Sequence, residues 1–328
     1  MTVSTSVDNN RQRKPRILLL ADKPGWAFDF AARAIAKHLA GAFDFRIEYV
    51  GEKPDLNRWQ FDIIYVFWWG ETYHQTFIDE PERVIKDVTS HRWALEEKFG
   101  PLTTAQLVEK HLADAGTVTA VSLRLQRMIS PYREVLLAPE GFESQNFFSS
   151  GERQGSLKIG WAGNVKDKCK GVKDILRPAV FPRFRLRKAG GDFDHSEMLN
   201  FYRSIDVICV ASTAEGQPLP LVEAMACGCF PVAVDVGIVP ELVKDRENGL
   251  IVERNASAFR RAFKWCRMNL AEVRRTGETN AELVLATRTW EKTIGYWEEI
   301  FWRTLKLNGW NPPEKITLGG HLDEKTRK

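Results

Sequence analysis

The sequence lacks several features that define special classes of protein. Its 328 residues include only five cysteines, an odd number, and its net charge at pH 7 is only +4. Cys227 and Cys229 have no second pair of ligands at a zinc-like spacing, so we expect no zinc site and a reducing, cytoplasmic location. A charge this small does not indicate a nucleic-acid partner, and we expect none.

Long apolar runs are also missing. No segment approaches the ~20 apolar residues that a membrane-spanning helix needs. Residues 1–14 contain no apolar core of a secretory signal, and we expect them to form a disordered, slightly basic tail. No short tandem repeat is evident. With 44% hydrophobic and 27% charged residues, the composition is that of a soluble globular protein.

The chain does contain an alternation of short apolar runs and amphipathic helical runs. The apolar runs consist of consecutive apolar residues and do not alternate with polar ones, as expected of parallel strands that are covered on both faces. The first series of strand candidates comprises residues 15–21, 45–50, 61–69, 84–90, 117–122 and 134–139. The second series comprises residues 157–163, 183–190, 206–212, 230–235 and 249–253. The helices predicted between them include residues 27–39, 195–204, 238–243 and 256–273.

Two such series predict two domains. Residues 143–156 are polar and rich in serine and glycine, which is typical of a linker. We expect an α/β protein of two Rossmann-like, doubly wound domains that face each other across a cleft. Ligands of such sheets bind beyond the carboxyl ends of the strands. The expected segments are a tail at 1–14, an N-terminal domain at 15–145, a C-terminal domain at 146–285, a last helix at 286–307 and a polar tail at 308–328.

The segment TAEGQPLPLVEAMACG, residues 213–228, combines an irregular loop with a helix. The helix is predicted from Leu221 to Ala226. Pro220 fits its first turn, where a missing N–H costs nothing, and Gly228 fits the position just after its end. The start of this helix would be an anion site, because free N–H groups and the positive end of the dipole point into the cleft.

Two glutamates flank this loop. Glu223, in the first turn of the helix, would reach the hydroxyl groups of a ribose. Glu215 would lie near a sugar at the other end of a diphosphate, and Gly216 would let the backbone approach the phosphates. The alternative is structural: Glu223 complements the helix dipole, and Glu215 is a surface loop residue.

EGQPLPLVEAMACGCFPVAVDVGIVPELVKDRENGLIVE, residues 215–253, resembles the donor-binding region of glycosyltransferase family 4, whose members are retaining enzymes with the two-domain GT-B fold. Five features follow in the family's order: the paired glutamates, EAMA with the cysteine and glycine after it, the PVAV strand, the ELV turn and the NGLIV strand. Residues 119–148 resemble the interdomain segment, and TWEKTIGYWEEIF resembles the terminal helix, which returns to the N-terminal domain. The resemblance covers residues 117–305 well and 15–116 loosely.

The resemblance implies roles for individual residues. Glu223 would bind the ribose of a nucleotide-sugar donor of the UDP or GDP type, and Glu215 would be a catalytic group beside the donor sugar. The diphosphate would be held by the backbone of Gly216, Gln217, Pro218, Leu219, Pro220 and Leu221. No cofactor and no metal are implied.

The loop GNVKDKCKG, which begins at Gly163, departs from the family pattern. Asn164 stands where an arginine is usual, whereas Lys170 keeps the second basic residue and would be catalytic. Stabilising the leaving diphosphate is the main electrostatic task, and asparagine lacks the bidentate guanidinium. Lys166 and Lys168 either compensate for the arginine or are solvated loop charges.

The N-terminal half supplies further candidates for the cleft. Gly25 would line it, unless it is a simple turn glycine. Trp26 would either stack on a sugar or pack. Trp68 and Trp69 follow a strand, and one of the pair must face away from the core or cover a loop. Trp69 is a candidate sugar platform, and His91 lies either near the sugar or in a structural position.

Asp192 and Asp194 form an Asp-x-Asp sequence, which binds metal and nucleotide in the other large glycosyltransferase fold. Asp194 is equally placed to cap a helix that starts at His195. We expect no metal here, since a three-residue pattern is a weak signal.

The resemblance implies a retaining, metal-independent glycosyltransferase that moves a sugar from a nucleotide sugar to a saccharide or lipid-linked acceptor. Cell-surface polysaccharide or glycoconjugate synthesis is the expected context. The chain would be cytoplasmic, either free or peripheral at the inner face of the membrane. Two alternatives stay open: a glycan- or membrane-surface-binding protein that has lost turnover, and a sugar-nucleotide epimerase.

Overall fold

The computed structural model describes residues 13–95, 100–149, 151, 153–190 and 195–313. Within them, each of the eleven predicted strand segments overlaps a strand, and ten of the strands are shorter than predicted. The strands are β1 (Arg16–Ala21), β2 (Asp44–Tyr49), β3 (Ile63–Val66), β4 (Val84–Val88), β5 (Thr117–Ala120), β6 (Leu136–Leu137), β7 (Ile159–Ala162), β8 (Leu186–Ala189), β9 (Val207–Val210), β10 (Phe230–Ala233) and β11 (Leu250–Ile251).

The strands form two sheets in which every pairing is parallel. The N-terminal sheet has six strands in the order β2-β1-β3-β4-β5-β6, and the C-terminal sheet has five in the order β11-β10-β9-β7-β8. Ile17 on the central β1 pairs with Phe45 on one side and Ile63 on the other. The prediction of two parallel α/β units is therefore confirmed.

The helices follow the strands in sequence, as parallel crossovers require. They are α1 (Ala27–Leu39), α2 (Thr104–Leu107), α3 (Leu123–Ile129), α4 (Arg177–Val180), α5 (Met198–Arg203), α6 (Leu219–Ala226), α7 (Val239–Leu242), α8 (Ala256–Met268), α9 (Leu270–Thr287) and α10 (Trp290–Leu307). Helix α1 has the predicted bounds. The helix predicted at 256–273 is instead two helices that meet at Asn269, and α9 is an 18-residue helix that the sequence pattern did not reveal.

Helix α10 leaves the C-terminal sheet and packs on the N-terminal one. Trp297, Phe301 and Trp302 are buried in the same cluster as residues of β1 and α1. The indole N–H of Trp297 donates to the carbonyl of Pro139 at 3.0 Å. The return of the C-terminal helix to the N-terminal domain is thus confirmed, and the last helix begins at Trp290 rather than at residue 286.

None of the described helices combines the length and the apolar character needed to cross a membrane. The hydrophobic core is instead divided between the two sheets. One buried cluster surrounds the C-terminal sheet, and two others lie on the two faces of the N-terminal sheet. The carboxyl ends of both sheets are left to form the walls of the space between the domains.

Candidate functional site

Two adjoining cavities, of about 770 Å³ and about 860 Å³, occupy the cleft between the two sheets. Each is lined by residues from both domains. A set of residues borders both cavities, and we call it the seam. Its members include Trp26, Glu140, Gly163, Asn164, Leu219 and Pro220.

The first cavity contains an ion pair between the two residues predicted to be catalytic. The ammonium Nζ of Lys170 lies 2.6 Å from Glu215 Oε1. Ser212 Oγ donates to the same oxygen at 2.6 Å. Both charged side chains are largely buried, so their electrostatic interactions are stronger than they would be in bulk water. An anion entering this cavity would meet a fixed lysine beside a fixed carboxylate.

The loop that carries Lys170 is held by its own turns. The N–H of Cys169 donates to Asp167 Oδ1 at 3.0 Å, which caps the short helical turn Lys168–Lys170. Gly171 then adopts φ +68°, and a Cβ there would lie 2.4 Å from the carbonyl oxygen of Ala211. A glycine after Lys170 is therefore required for the loop to sit against β9 and aim the lysine at Glu215.

Glu223 lines the second cavity and is only 8% exposed. The hydroxyl of Tyr202, on α5, donates to its Oε2 at 2.7 Å. Burial, followed by the nearby charge of Glu223, raises the pKa of Tyr202 well above its usual value, so the phenol remains a donor. Sequence reasoning missed Tyr202, because nothing in its local pattern distinguishes it from a core residue.

The start of α6 differs from the prediction in two ways. The helix begins at Leu219, two residues earlier than predicted, which places Glu223 one full turn inside it rather than in its first turn. Pro220 has no N–H, and the N–H of Leu221 donates to the carbonyl of Pro218 at 2.9 Å. The helix end therefore offers fewer free backbone donors than predicted. Gly228 ends the helix with φ +82°, as predicted.

Three residues of the predicted diphosphate cradle make close contacts within the protein. Gly216 lines neither cavity, and a Cβ on it would lie 2.2 Å from the carbonyl oxygen of Thr89. Glycine at this position permits close contact between the two domains. Leu221 is fully buried in the C-terminal core. Gln217 lines the first cavity and donates from Nε2 to the backbone carbonyl of Glu140 at 2.6 Å.

Gly163 and Asn164 lie at the seam, and Lys166 lines the second cavity. Gly163 has φ +142°, which favours glycine. The side-chain oxygen of Asn164 accepts the N–H of Lys166 at 3.0 Å, an Asx-type turn that shapes the loop. Asparagine at this position therefore has a local structural function.

On the N-terminal wall, Trp26 is 48% exposed at the seam, and the ammonium of Lys23 lies 3.3 Å from the centroid of its ring. Gly25 lines the second cavity with φ +74°, and its N–H donates to Asp29 Oδ2 at 2.7 Å. Both residues are where the sequence placed them, at the cleft. The Trp26 ring is therefore partly exposed at the cleft, with Lys23 over one of its faces.

Trp69 and His91 do not present their rings to the cleft as expected. Trp69 contributes to the wall of the first cavity but is fully buried and packs edge-on against Trp93, so it cannot serve as an open platform. Its neighbour Trp68 is half-buried in the same wall. His91 lines neither cavity. Burial lowers the pKa of His91.

The cleft contains charged residues that the sequence analysis did not select. Arg92, after β4, forms an ion pair at 2.5 Å with Asp167 of the opposite domain. Glu140 is buried at the seam, and burial together with the charges of Asp87 and Glu223 raises its pKa to about 8. Burial likewise raises the pKa of Asp87 to about 7. The Pro-Glu-Gly sequence at the interdomain crossing was the available signal for Glu140.

One group of potential metal ligands is present among the described residues: atoms of His38, Glu143 and Glu291 lie within 4.8 Å of one another. The ammonium of Lys37 is 2.9 Å from both carboxylate oxygens of Glu143. This carboxylate is therefore already neutralised by a protein cation. The Asp-x-Asp sequence at 192–194 lies outside the described residues.

Comparison with known sequences finds matches among glycosyltransferases. Residues 190–281 match the family model described as Glycosyl transferases group 1. An uncharacterized glycosyltransferase from Methanocaldococcus jannaschii is 32% identical over 98 residues, which are 30% of this chain and 28% of that protein. The alignment thus spans less than a third of that relative. These matches support the prediction of a transferase.

Comparison with solved structures concerns the whole fold. Sucrose-phosphate synthase from Thermosynechococcus elongatus matches with a TM-score of 0.72 at 16% identity, over 90% of this chain and 100% of that one. HepE from Anabaena, solved in complex with UDP and glucose, matches with a TM-score of 0.62 at 15% identity, over 88% and 99% of the two chains. The fold is that of the GT-B glycosyltransferases, as expected from the sequence.

Proposed function

We propose that this protein is a retaining, metal-independent glycosyltransferase that transfers a sugar from a nucleotide sugar to a saccharide or lipid-linked acceptor. The observation that carries the proposal is the division of the cleft. Lys170 and Glu215 form a buried ion pair in one cavity, while Glu223 and Tyr202 lie in the adjoining one. A nucleotide sugar has the matching order of groups, with a ribose at one end of a diphosphate and a sugar at the other.

The proposed chemistry follows from the charged groups in the two cavities. Lys170 stabilises the negative charge that develops on the diphosphate as the bond to the sugar breaks. Glu215 would give up part of its interaction with Lys170 and contact the sugar. Glu223 accepts hydrogen bonds from the ribose, with Tyr202 holding its other oxygen. The leaving diphosphate itself helps to take the proton of the acceptor hydroxyl, so no protein nucleophile is needed.

UDP- or GDP-type donors, family 4 membership and retention of configuration follow from the sequence resemblance, and HepE offers a UDP-binding relative of the same fold. The partly exposed ring of Trp26 on the N-terminal wall suits the apolar face of an acceptor sugar. We place the enzyme in cell-surface polysaccharide or glycoconjugate synthesis in the cytoplasm, free or peripheral at the membrane.

A second candidate is a nucleotide- or glycan-binding protein that has lost turnover. The observation in its favour is Asn164, whose side chain is engaged in a turn where the family carries an arginine. An epimerase remains the third reading. Donor hydrolysis separates the first two, since a protein without turnover binds the nucleotide sugar but releases no nucleoside diphosphate.

The test is a thermal-shift panel with UDP, GDP, ADP, CMP and dTDP and their common sugar conjugates, followed by an assay of diphosphate release. Ligand at about a hundred times its dissociation constant stabilises the fold by roughly 2.7 kcal/mol. We expect one nucleotide to raise the Tm, and Glu223→Gln to abolish the shift.

The matched control is Glu282→Gln, on the exposed face of α9. It should retain the shift. If no nucleotide stabilises the folded wild-type protein, the proposed function is wrong. Binding without release of the diphosphate in the presence of broad acceptor mixtures would favour the second candidate.

A further inference from the structure

Glu140 lies on a segment that is clamped from both sides. Its backbone carbonyl accepts from Gln217 of the C-terminal domain at 2.6 Å, and the preceding carbonyl, of Pro139, accepts from Trp297 of α10 at 3.0 Å. A Cβ on the following Gly141 would lie 2.5 Å from the backbone nitrogen of Trp290. The segment therefore has little freedom, and the side chain of Glu140 is held at the seam between the two cavities.

The carboxyl of Glu140 stands out among the buried acids of the cleft because it has no partner. It is 5% exposed, and within the described residues its carboxyl group makes no hydrogen bond or ion pair. Glu215 has Lys170 and Ser212, and Glu223 has Tyr202. Glu140 borders both cavities, so its carboxyl is available to form a hydrogen bond with a molecule that occupies them.

The groups that face Glu140 determine its protonation. They are the carboxyl of Asp87 on β4, the carboxyl of Glu223 on α6 and the phenol of Tyr65 on β3. Desolvation and the two carboxyls act in the same direction, raising the pKa of Glu140 to about 8. At neutral pH the side chain is therefore mainly a carboxylic acid, which has one O–H to donate.

A ligand that extends from the Lys170–Glu215 pair to Glu223 must cross the seam, where Leu219 and Pro220 form the start of α6. We propose that Glu140 binds the nucleotide sugar as a neutral carboxylic acid, donating its proton in a hydrogen bond to a phosphate oxygen of the diphosphate. This inference rests on the proposed function. It assigns a donor to the N-terminal side of the diphosphate site, opposite Lys170.

The test measures the dissociation constant of UDP-glucose by calorimetry at pH 7 and pH 9, with GDP-mannose as the second probe. If only the acid form binds, ionisation of a group with a pKa of about 8 raises the apparent dissociation constant of the wild-type protein roughly tenfold between these pH values. Glu140→Gln, whose amide is neutral and donates at either pH, should bind at pH 7 as the wild type does and lose this pH dependence.

Glu282→Gln is the control and should follow the wild-type profile, including any titration of the probe itself. The inference is overturned if Glu140→Gln weakens binding more than tenfold at pH 7, because Glu140 would then accept from the ligand as a carboxylate. It is also overturned if the variant keeps the wild-type pH profile. Should Glu140→Gln not fold, a flat wild-type profile alone would overturn it. If neither probe binds the wild-type protein, the proposed function itself fails.

Discussion

The two walls of the cleft are built in different ways. The C-terminal wall takes Ser212, Glu215 and Glu223 from one stretch of chain and joins them to Lys170 on a single neighbouring loop. Its charged groups are paired within the protein, at 2.6 Å for Lys170 and Glu215. The wall is a preorganised electrostatic surface, which is the property that stabilisation of a developing charge requires.

The N-terminal wall is assembled from residues far apart in sequence. Trp26, Trp68, Arg92 and Glu140 follow four different strands of the sheet. Its face is aromatic, and two of its acids, Asp87 and Glu140, are buried in or beside the core. This wall also depends on the far end of the chain, since α10 packs beneath it. Under the proposed function, the C-terminal wall would fix the donor, while the N-terminal wall would contribute Glu140 to the donor site and its aromatic surface to the acceptor site.

The largest expected effect tests the dependence of the N-terminal wall on α10. Trp297 is fully buried, and Trp297→Ala should lower the free energy of unfolding by about 3–5 kcal/mol because it leaves a large cavity. Trp26→Ala, at an exposed position, is the matched control and should change the stability little. Urea unfolding measures both. Equal losses in the two variants would contradict the packing of α10 described above.

The next effect concerns the C-terminal wall and its charge. Lys170→Ala should lower the rate of diphosphate release by about 10²–10³, the range seen when one preorganised group that stabilises a transition-state charge is removed. Lys168→Ala, in the same loop and exposed, should retain most of the activity. A Lys170→Ala variant with wild-type turnover would remove the lysine from the proposed chemistry.

The same contrast explains what could be predicted from the sequence. The two sheets, α1 and the Glu215–Glu223 segment were predictable because strand runs and a contiguous motif are local signals. The roles of Gly216, Trp69 and His91 were not, since each is decided by contacts with residues from another element. Gly216 meets Thr89 across the cleft, and no pattern within 213–228 contains that information.

Contact between the two walls is tested by Gly216→Ala. The added methyl group would lie 2.2 Å from the carbonyl oxygen of Thr89 and 2.5 Å from Val121, so the domains must move apart or the loop must shift. We expect a loss of about 1–3 kcal/mol in the free energy of unfolding, as for other overpacked sites. Small-angle scattering should show a more open molecule.

Gly41→Ala is the matched control, because a Cβ at Gly41 meets nothing within 4 Å. It should leave both the stability and the scattering profile close to those of the wild type. If Gly216→Ala behaves in the same way, the two walls do not touch at this point in solution.

The buried acids of the N-terminal wall predict a pH effect on stability. Asp87 has a pKa raised from 3.8 to about 7, so the folded state holds a proton that the unfolded state loses. Stability from this group is present at low pH and falls as the pH rises from about 4 to 7, by about 1.4 kcal/mol per pH unit. Asp87→Asn should remove that slope in urea unfolding between pH 5 and 7. A parallel slope in both proteins would contradict the protonation of buried Asp87 in this pH range.

The smallest expected effect concerns the ion pair that joins the two walls. Arg92 and Asp167 form an ion pair at 2.5 Å between the domains, with 28% and 19% of their side chains exposed. Partly exposed pairs contribute about 0.2–1 kcal/mol. A double-mutant cycle with Arg92→Ala and Asp167→Asn should give a coupling energy in that range without nucleotide. Because a bound diphosphate would offer Arg92 a competing anion, the coupling should shrink when UDP is added. A coupling energy that UDP leaves unchanged would mean that Arg92 only fastens the N-terminal wall to the C-terminal loop and does not take part in donor binding.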